Sequence, residues 1–216
     1  NLQQRNEFLS LQVEKYEQGL NGKLFKSQKV KSSLNKEFEV KEFFLPFPRL
    51  DIRLGWAATE NSKRAHYLEI IDDKVLVISG LGQTIFFDKN NLNKEKLNQI
   101  NIPNNIENLL SNYNYKLIGI RDLFEDNGYI YISLLHKDDQ GFTINIYKAK
   151  LSFDNLVFKE FFKSNEYWQI YNVFSGGRIE RYKDNRILFS IGYSGLDKVA
   201  QKKDSLLGKI ISIDKE

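Results

Sequence analysis

The chain has 216 residues, 41% of them hydrophobic and 28% charged, which is enough apolar material to bury a core and excludes a disordered polymer. Cysteine is absent and there are two histidines, so disulfides, thiol catalysis and Cys- or His-rich metal centres are excluded, while the redox compartment stays open. The net charge of +4 comes from Lys interleaved with Asp and Glu without a block of like charges, so no nucleic-acid partner is expected.

No apolar run approaches the roughly 18 residues of a membrane span, and no apolar signal region follows a basic start. The chain begins at Asn1 and contains no Met, which reads as a processed product or a piece of something longer. Leu9, Val13, Tyr16 and Leu20 recur at helical spacing, with Gly19 and Gly22 as the stop. This amphipathic helix either packs on its own domain or forms a stalk behind a missing N-terminal anchor, the one route to a membrane. Residues 1–41 thus read as helix plus Lys-rich polar linker, and 42–64, with Pro46 and Pro48, as an extended entry segment.

From residue 65 the chain turns into short β-rich runs bounded by Asp, Asn and Gly, and the runs repeat. Asp73, Asp126 and Asp184 lie 53 and 58 residues apart, and each opens a turn that feeds a strand ending in Ser79, Ser133 or Ser190. A short apolar strand precedes each turn (67–71, 116–120 and 177–181). A glycine and a second strand come after it, at Gly82, Gly141 and Gly208. Units of about 50 residues with three or four strands and no long helix point to propeller blades, although the same spacing also suits a β-barrel. The units are about 65–110, 116–163 and 172–216.

The third unit carries Gly176-Gly177-Arg178-Ile179, then Asp184 with Ile187 to Gly192, then Ala200-Gln201 and Ser205-Leu-Leu-Gly208-Lys209-Ile210. This text resembles the glucose/sorbosone dehydrogenases, the pyrroloquinoline-quinone-dependent aldose dehydrogenases, over about residues 65–216. The first and second units resemble the family's preceding blades less specifically. The resemblance implies an all-β fold, here about three blades of a propeller of about six, the N-terminal half, with an N-terminal helix.

It also implies a chemistry that this chain departs from. The family's general base is a His two residues before Gly-Gly-Arg; that position is Phe174, whose ring accepts no proton, so no catalytic residue is expected here. The family's Gly-Asp acid is Tyr193, and the acid of its Ala-Gln-Asp is Lys202. The quinone- and calcium-binding residues belong to later blades of the family, so neither cofactor is expected to be held by residues of this chain.

Three residues are pocket candidates: Arg178 and His66 at the heads of inner strands, and Gln201 in the Ala-Gln segment. Arg178 equally suits a buried tie between blades, and His66 a partly exposed strand end. His136 lies in a polar stretch and receives no role, Asp138 and Asp139 read as a turn, and no metal site is expected. The aromatic residues Phe158, Phe161, Phe162, Tyr167, Trp168 and Tyr171 read as core between blades. The expected function is a sugar-dehydrogenase-like propeller whose parent oxidises or binds a sugar or polyol, or else a non-catalytic binding or scaffolding propeller. The periplasm or cell envelope is the expected location, and missing blades or self-association the expected partners.

Overall fold

The computed structural model describes residues 24–43, 45, 66–94, 96–111, 119–169, 176–193 and 198–216. The expected N-terminal helix lies outside these residues, as does most of the extended segment over 42–64. The backbone divides into two compact units: Asn1–Leu50 with Ile70–Leu76 and Ile85–Asn101, and Asp51–Glu69 with Val77–Thr84 and Ile102–Glu216.

Residues 24–41, expected as polar linker, together with 42–43 form an antiparallel hairpin of β1 (Leu24–Lys31) and β2 (Glu37–Phe43). Its turn closes by hydrogen bonds between Ser32 and Lys36, with Asn35 in the left-handed region at φ 56°. Lys and Glu alternate with Val30, Phe38 and Val40 along it, and all three apolar side chains remain exposed. The Lys-rich composition conceals a strand because a two-stranded ribbon has no buried face to demand an apolar row.

The three repeat units each make an antiparallel sheet, chained through tight turns. The first sheet runs β3 (His66–Ile71), β4 (Lys74–Ser79), β5 (Thr84–Asp88) and β6 (Ile100–Ile102), followed by the short helix α1 (Ile106–Ser111). The second has β7 (Gly119–Asp126), β8 (Tyr129–Asp138), β9 (Gly141–Lys150) and β10 (Lys159–Lys163), again in chain order. The third has β11 (Gly176–Lys183), β12 (Arg186–Ile191) and β13 (Lys209–Asp214).

The three Asp-marked positions are the turns between first and second strand of each sheet. Asn127 and Gly128 both have positive φ, 51° and 76°, the two-residue hairpin geometry that Asn-Gly supplies. The strand expected over 116–120 is described from Gly119, runs to Asp126 and carries its pairing to the turn itself.

β8 is buried on both faces from Ile130 to His136, as suits a central strand. His136 therefore sits inside this strand, wholly buried, with Nε2 3.0 Å from the Tyr147 hydroxyl, and not in a polar loop; only Asp139 and Gln140 make the turn. Ile187, Phe189 and Ile191 of β12 alternate inward and join Phe142, Ile144, Ile146 and Trp168 in one core. Phe161 and Phe162 pack against that core and Phe158 is buried, so these aromatics are interior as expected; Tyr171 lies outside the described residues.

Candidate functional site

The first strands of the three sheets, β3, β7 and β11, are tied by polar contacts within the second compact unit. The Tyr67 hydroxyl donates to the Ile120 carbonyl at 2.8 Å, and the Ile120 N–H donates to the Gly80 carbonyl at 3.0 Å. On the other side, β11 lies against β7 and β8. Gly177 makes that approach possible: a Cβ there would stand 2.5 Å from Arg121 Cβ and 2.9 Å from Ile144 Cδ1, and its φ of 109° disfavours any side chain. Its carbonyl accepts from the Ser133 hydroxyl at 2.6 Å.

Asp122 is the hub. Its side chain is 3% exposed, and both carboxylate oxygens are engaged, one by Arg178 Nη1 at 3.0 Å and the other by the Ile179 N–H at 2.6 Å. Burial pushes its carboxyl above the ordinary carboxylate range, while the Ile179 N–H, the Arg178 charge and the Leu123 N–H pull it back. Arg178 itself is 71% exposed, so the buried member of the tie is the aspartate; Arg178 Nη2 also stands 3.9 Å from Glu180.

Glu69 of β3 completes the group. Its carboxyl is pushed up to about 7, first by burial, then by the charges of Asp122, Glu125 and Glu180, with Arg178 opposing. A carboxyl that titrates near neutrality exchanges a proton at physiological pH, which an ordinary Glu does not. Burial also raises the neighbouring Tyr67 phenol, against the pull of Arg121. Exposed guanidinium, half-buried carboxyl and phenol are groups that hydrogen-bond hydroxyls.

Of the expected pocket residues, the structure brings Arg178 into this group. His66 opens β3 with its side chain exposed, and Gln201 is exposed on a 3-10 turn, Val199–Gln201; neither is part of the Arg178–Asp122 pair. That turn is fastened by Lys209, whose ammonium donates to the Ala200 carbonyl at 2.6 Å and the Leu207 carbonyl at 3.2 Å. Phe174, at the expected base position, lies outside the described residues. Glu69, Arg121 and Asp122 were missed by sequence reasoning. The available signal was two adjacent charged residues, Arg121 and Asp122, set between the apolar pairs Gly119-Ile120 and Leu123-Phe124.

The family sequence model for glucose/sorbosone dehydrogenase matches residues 68–216. The chain belongs to the glucose/sorbosone dehydrogenase family. Solved structures agree on the fold, at identities that speak to the fold alone. A glucose dehydrogenase gives a TM-score of 0.54 at 14% identity, over 71% of this chain and 45% of its own; a second gives 0.55 at 15%, over 71% and 48%. The soluble aldose sugar dehydrogenase from Escherichia coli gives 0.54 at 15%, over 71% and 45%. This chain thus spans less than half the length of these glucose/sorbosone dehydrogenase-like structures, and its fold is a partial β-propeller. No curated protein matches it.

The resemblance attaches quinone and calcium to this family, and the described residues do not fit either. Among them no three Asp, Glu or His side chains gather to hold a metal ion, and both oxygens of Asp122 are committed to protein donors. An anionic quinone calls for several free cations; Arg178 is paired with Asp122, and in this group Arg121 alone has guanidinium nitrogens without an acceptor among the described residues.

Proposed function

We propose that the protein containing this chain is a sugar-dehydrogenase-like propeller that binds a sugar, polyol or related small molecule at the inner strands β3, β7 and β11. The chain by itself does not oxidise aldoses. The observation that carries this reading is the exposed guanidinium of Arg178 and the half-buried carboxyl of Glu69 on those strands, held beside Asp122 and Tyr67. Membership of a family defined by sugar oxidation supports the ligand class. Arg178, His66 and Gln201 are the proposed ligand contacts, joined by Glu69, and the proposed place of action is the periplasm or cell envelope.

Phe174 favours a second reading, a non-catalytic propeller used for binding or scaffolding. A positioned base contributes about 10²- to 10⁴-fold in rate, and a phenyl ring supplies none of it. Reduction of a dye acceptor by this chain, with glucose or another aldose and with quinone and calcium added, is expected to stay at the no-protein background. Turnover well above that background would overturn the proposal. Calorimetric titration of the full-length protein with aldoses and polyols separates the two readings: saturable heat supports sugar binding, and its absence leaves the scaffold.

A further inference from the structure

We infer that Arg121 is an anion-binding residue, presenting the side-on fork of its guanidinium at β7 to a carboxylate or phosphate carried by a small-molecule ligand. Nε and Nη2 form that fork. Both are shielded from solvent, and no acceptor among the described residues meets either of them. A buried charged donor left without an acceptor is costly, so a fold retains one where something else supplies the acceptor.

The neighbouring acceptors are engaged elsewhere and do not meet the fork. Asp122, next in sequence, gives one oxygen to Arg178 and the other to the Ile179 N–H. The Tyr67 hydroxyl, close enough to feel the Arg121 charge, donates its proton to the Ile120 carbonyl. The arginine is also held in place, because the chain crosses its Cβ at Gly177, where no side chain fits. A fixed guanidinium edge with two parallel N–H donors matches the paired oxygens of an oxyanion, which a Lys ammonium does not.

This deepens the proposed sugar or polyol reading and rests on it in one respect: the ligand's polyol part is taken to lie along the same strands. The test is thermal unfolding of the full-length protein titrated with gluconate, inorganic phosphate or neutral sorbitol, at ionic strength matched with chloride. Gluconate is expected to raise Tm above the chloride control and to outdo sorbitol. Arg121→Met should match or exceed the parent Tm in chloride, since it removes an uncompensated charge, and should lose the gluconate shift. Should that variant fail to fold, Arg121→Lys keeps the charge without the fork and is expected to weaken gluconate about tenfold or more.

No gluconate or phosphate shift in the parent protein overturns the inference, as does an Arg121→Met variant, or an Arg121→Lys variant, that keeps the shift. A response to phosphate alone identifies a free oxyanion as the ligand, and one to gluconate alone a sugar acid. Sorbitol binding without a gluconate advantage removes the anion site and leaves the sugar reading standing. A shift with both anions and no binding of any neutral sugar does the reverse.

Discussion

Glu69 shows how a side chain acquires chemistry from its surroundings. Its carboxyl stands at about 7 in the folded chain against an ordinary value near 4.5, because ionising it places a charge in a partly buried site facing Asp122, Glu125 and Glu180, relieved by Arg178. The folded state therefore holds a proton that the unfolded state has released over that interval. By linkage its contribution to stability is fully present below about pH 4.5 and is lost as pH rises through about 7. Asp122, also raised by burial, slopes the same way. Glu69→Gln is expected to flatten the decline in Tm between about pH 5 and 8 relative to the parent chain, as followed by circular dichroism. An unchanged pH profile would place the Glu69 carboxyl in ordinary solvent.

Between elements, the contact that matters is β11 against β7 and β8. Backbone approach there replaces side-chain packing: Gly177 passes within contact of Arg121, Ile144 and Ser133, and Asp122 receives the backbone N–H of Ile179. A second tie lies further along the same strands, where buried Asp126 meets Arg181 Nη2 and Lys215 Nζ, each at 2.6 Å. Gly177→Ala must strain a φ of 109° and also displace its neighbours, whereas Gly128→Ala, at φ 76°, meets nothing within 4 Å. Both incur backbone strain of about 1–3 kcal/mol, and Gly177→Ala an overpacking cost of about 1–3 kcal/mol in addition. Urea unfolding of the two variants is expected to show that difference; equal losses would mean that β11 relaxes freely away from β7.

At the scale of the whole molecule, the third sheet has three strands among the described residues where the first two have four, and β13 is one of its edges. An unpaired edge strand offers a row of backbone donors and acceptors to another chain, and β13 also exposes Ile210 at 72%. Leu68 and Ile70 of β3 are likewise exposed. Stacked repeats hide such surfaces against neighbours, and uncovered they associate. Sedimentation velocity of the 216-residue chain at about 10–50 μM is expected to show dimers or larger species. A single monomeric boundary across that range would show the edge to be protected.

The blade repeat was legible in the sequence because turns are local. Asn127-Gly128 fixes a hairpin through its own φ preferences, and the alternation of Ile187, Phe189 and Ile191 fixes which face of β12 is inside, so the three turn-strand-turn units follow from neighbouring residues alone. The Gly-Gly-Arg text likewise pointed to the family that the match over 68–216 establishes. The β1–β2 hairpin and the burial of His136 were not legible: charged strands with no buried face look like linkers, and a histidine beside Lys137 looks solvated until β9 covers it. Only the tertiary structure made Asp122, Arg178 and Glu69 one group, since they lie 53 and 56 residues apart in sequence and feel one another's charge only where the first strands of the sheets come together. Their carboxyl shifts follow from burial and from charges on other strands. Burial and charge proximity are properties of the assembled sheets, which no local pattern of residues encodes.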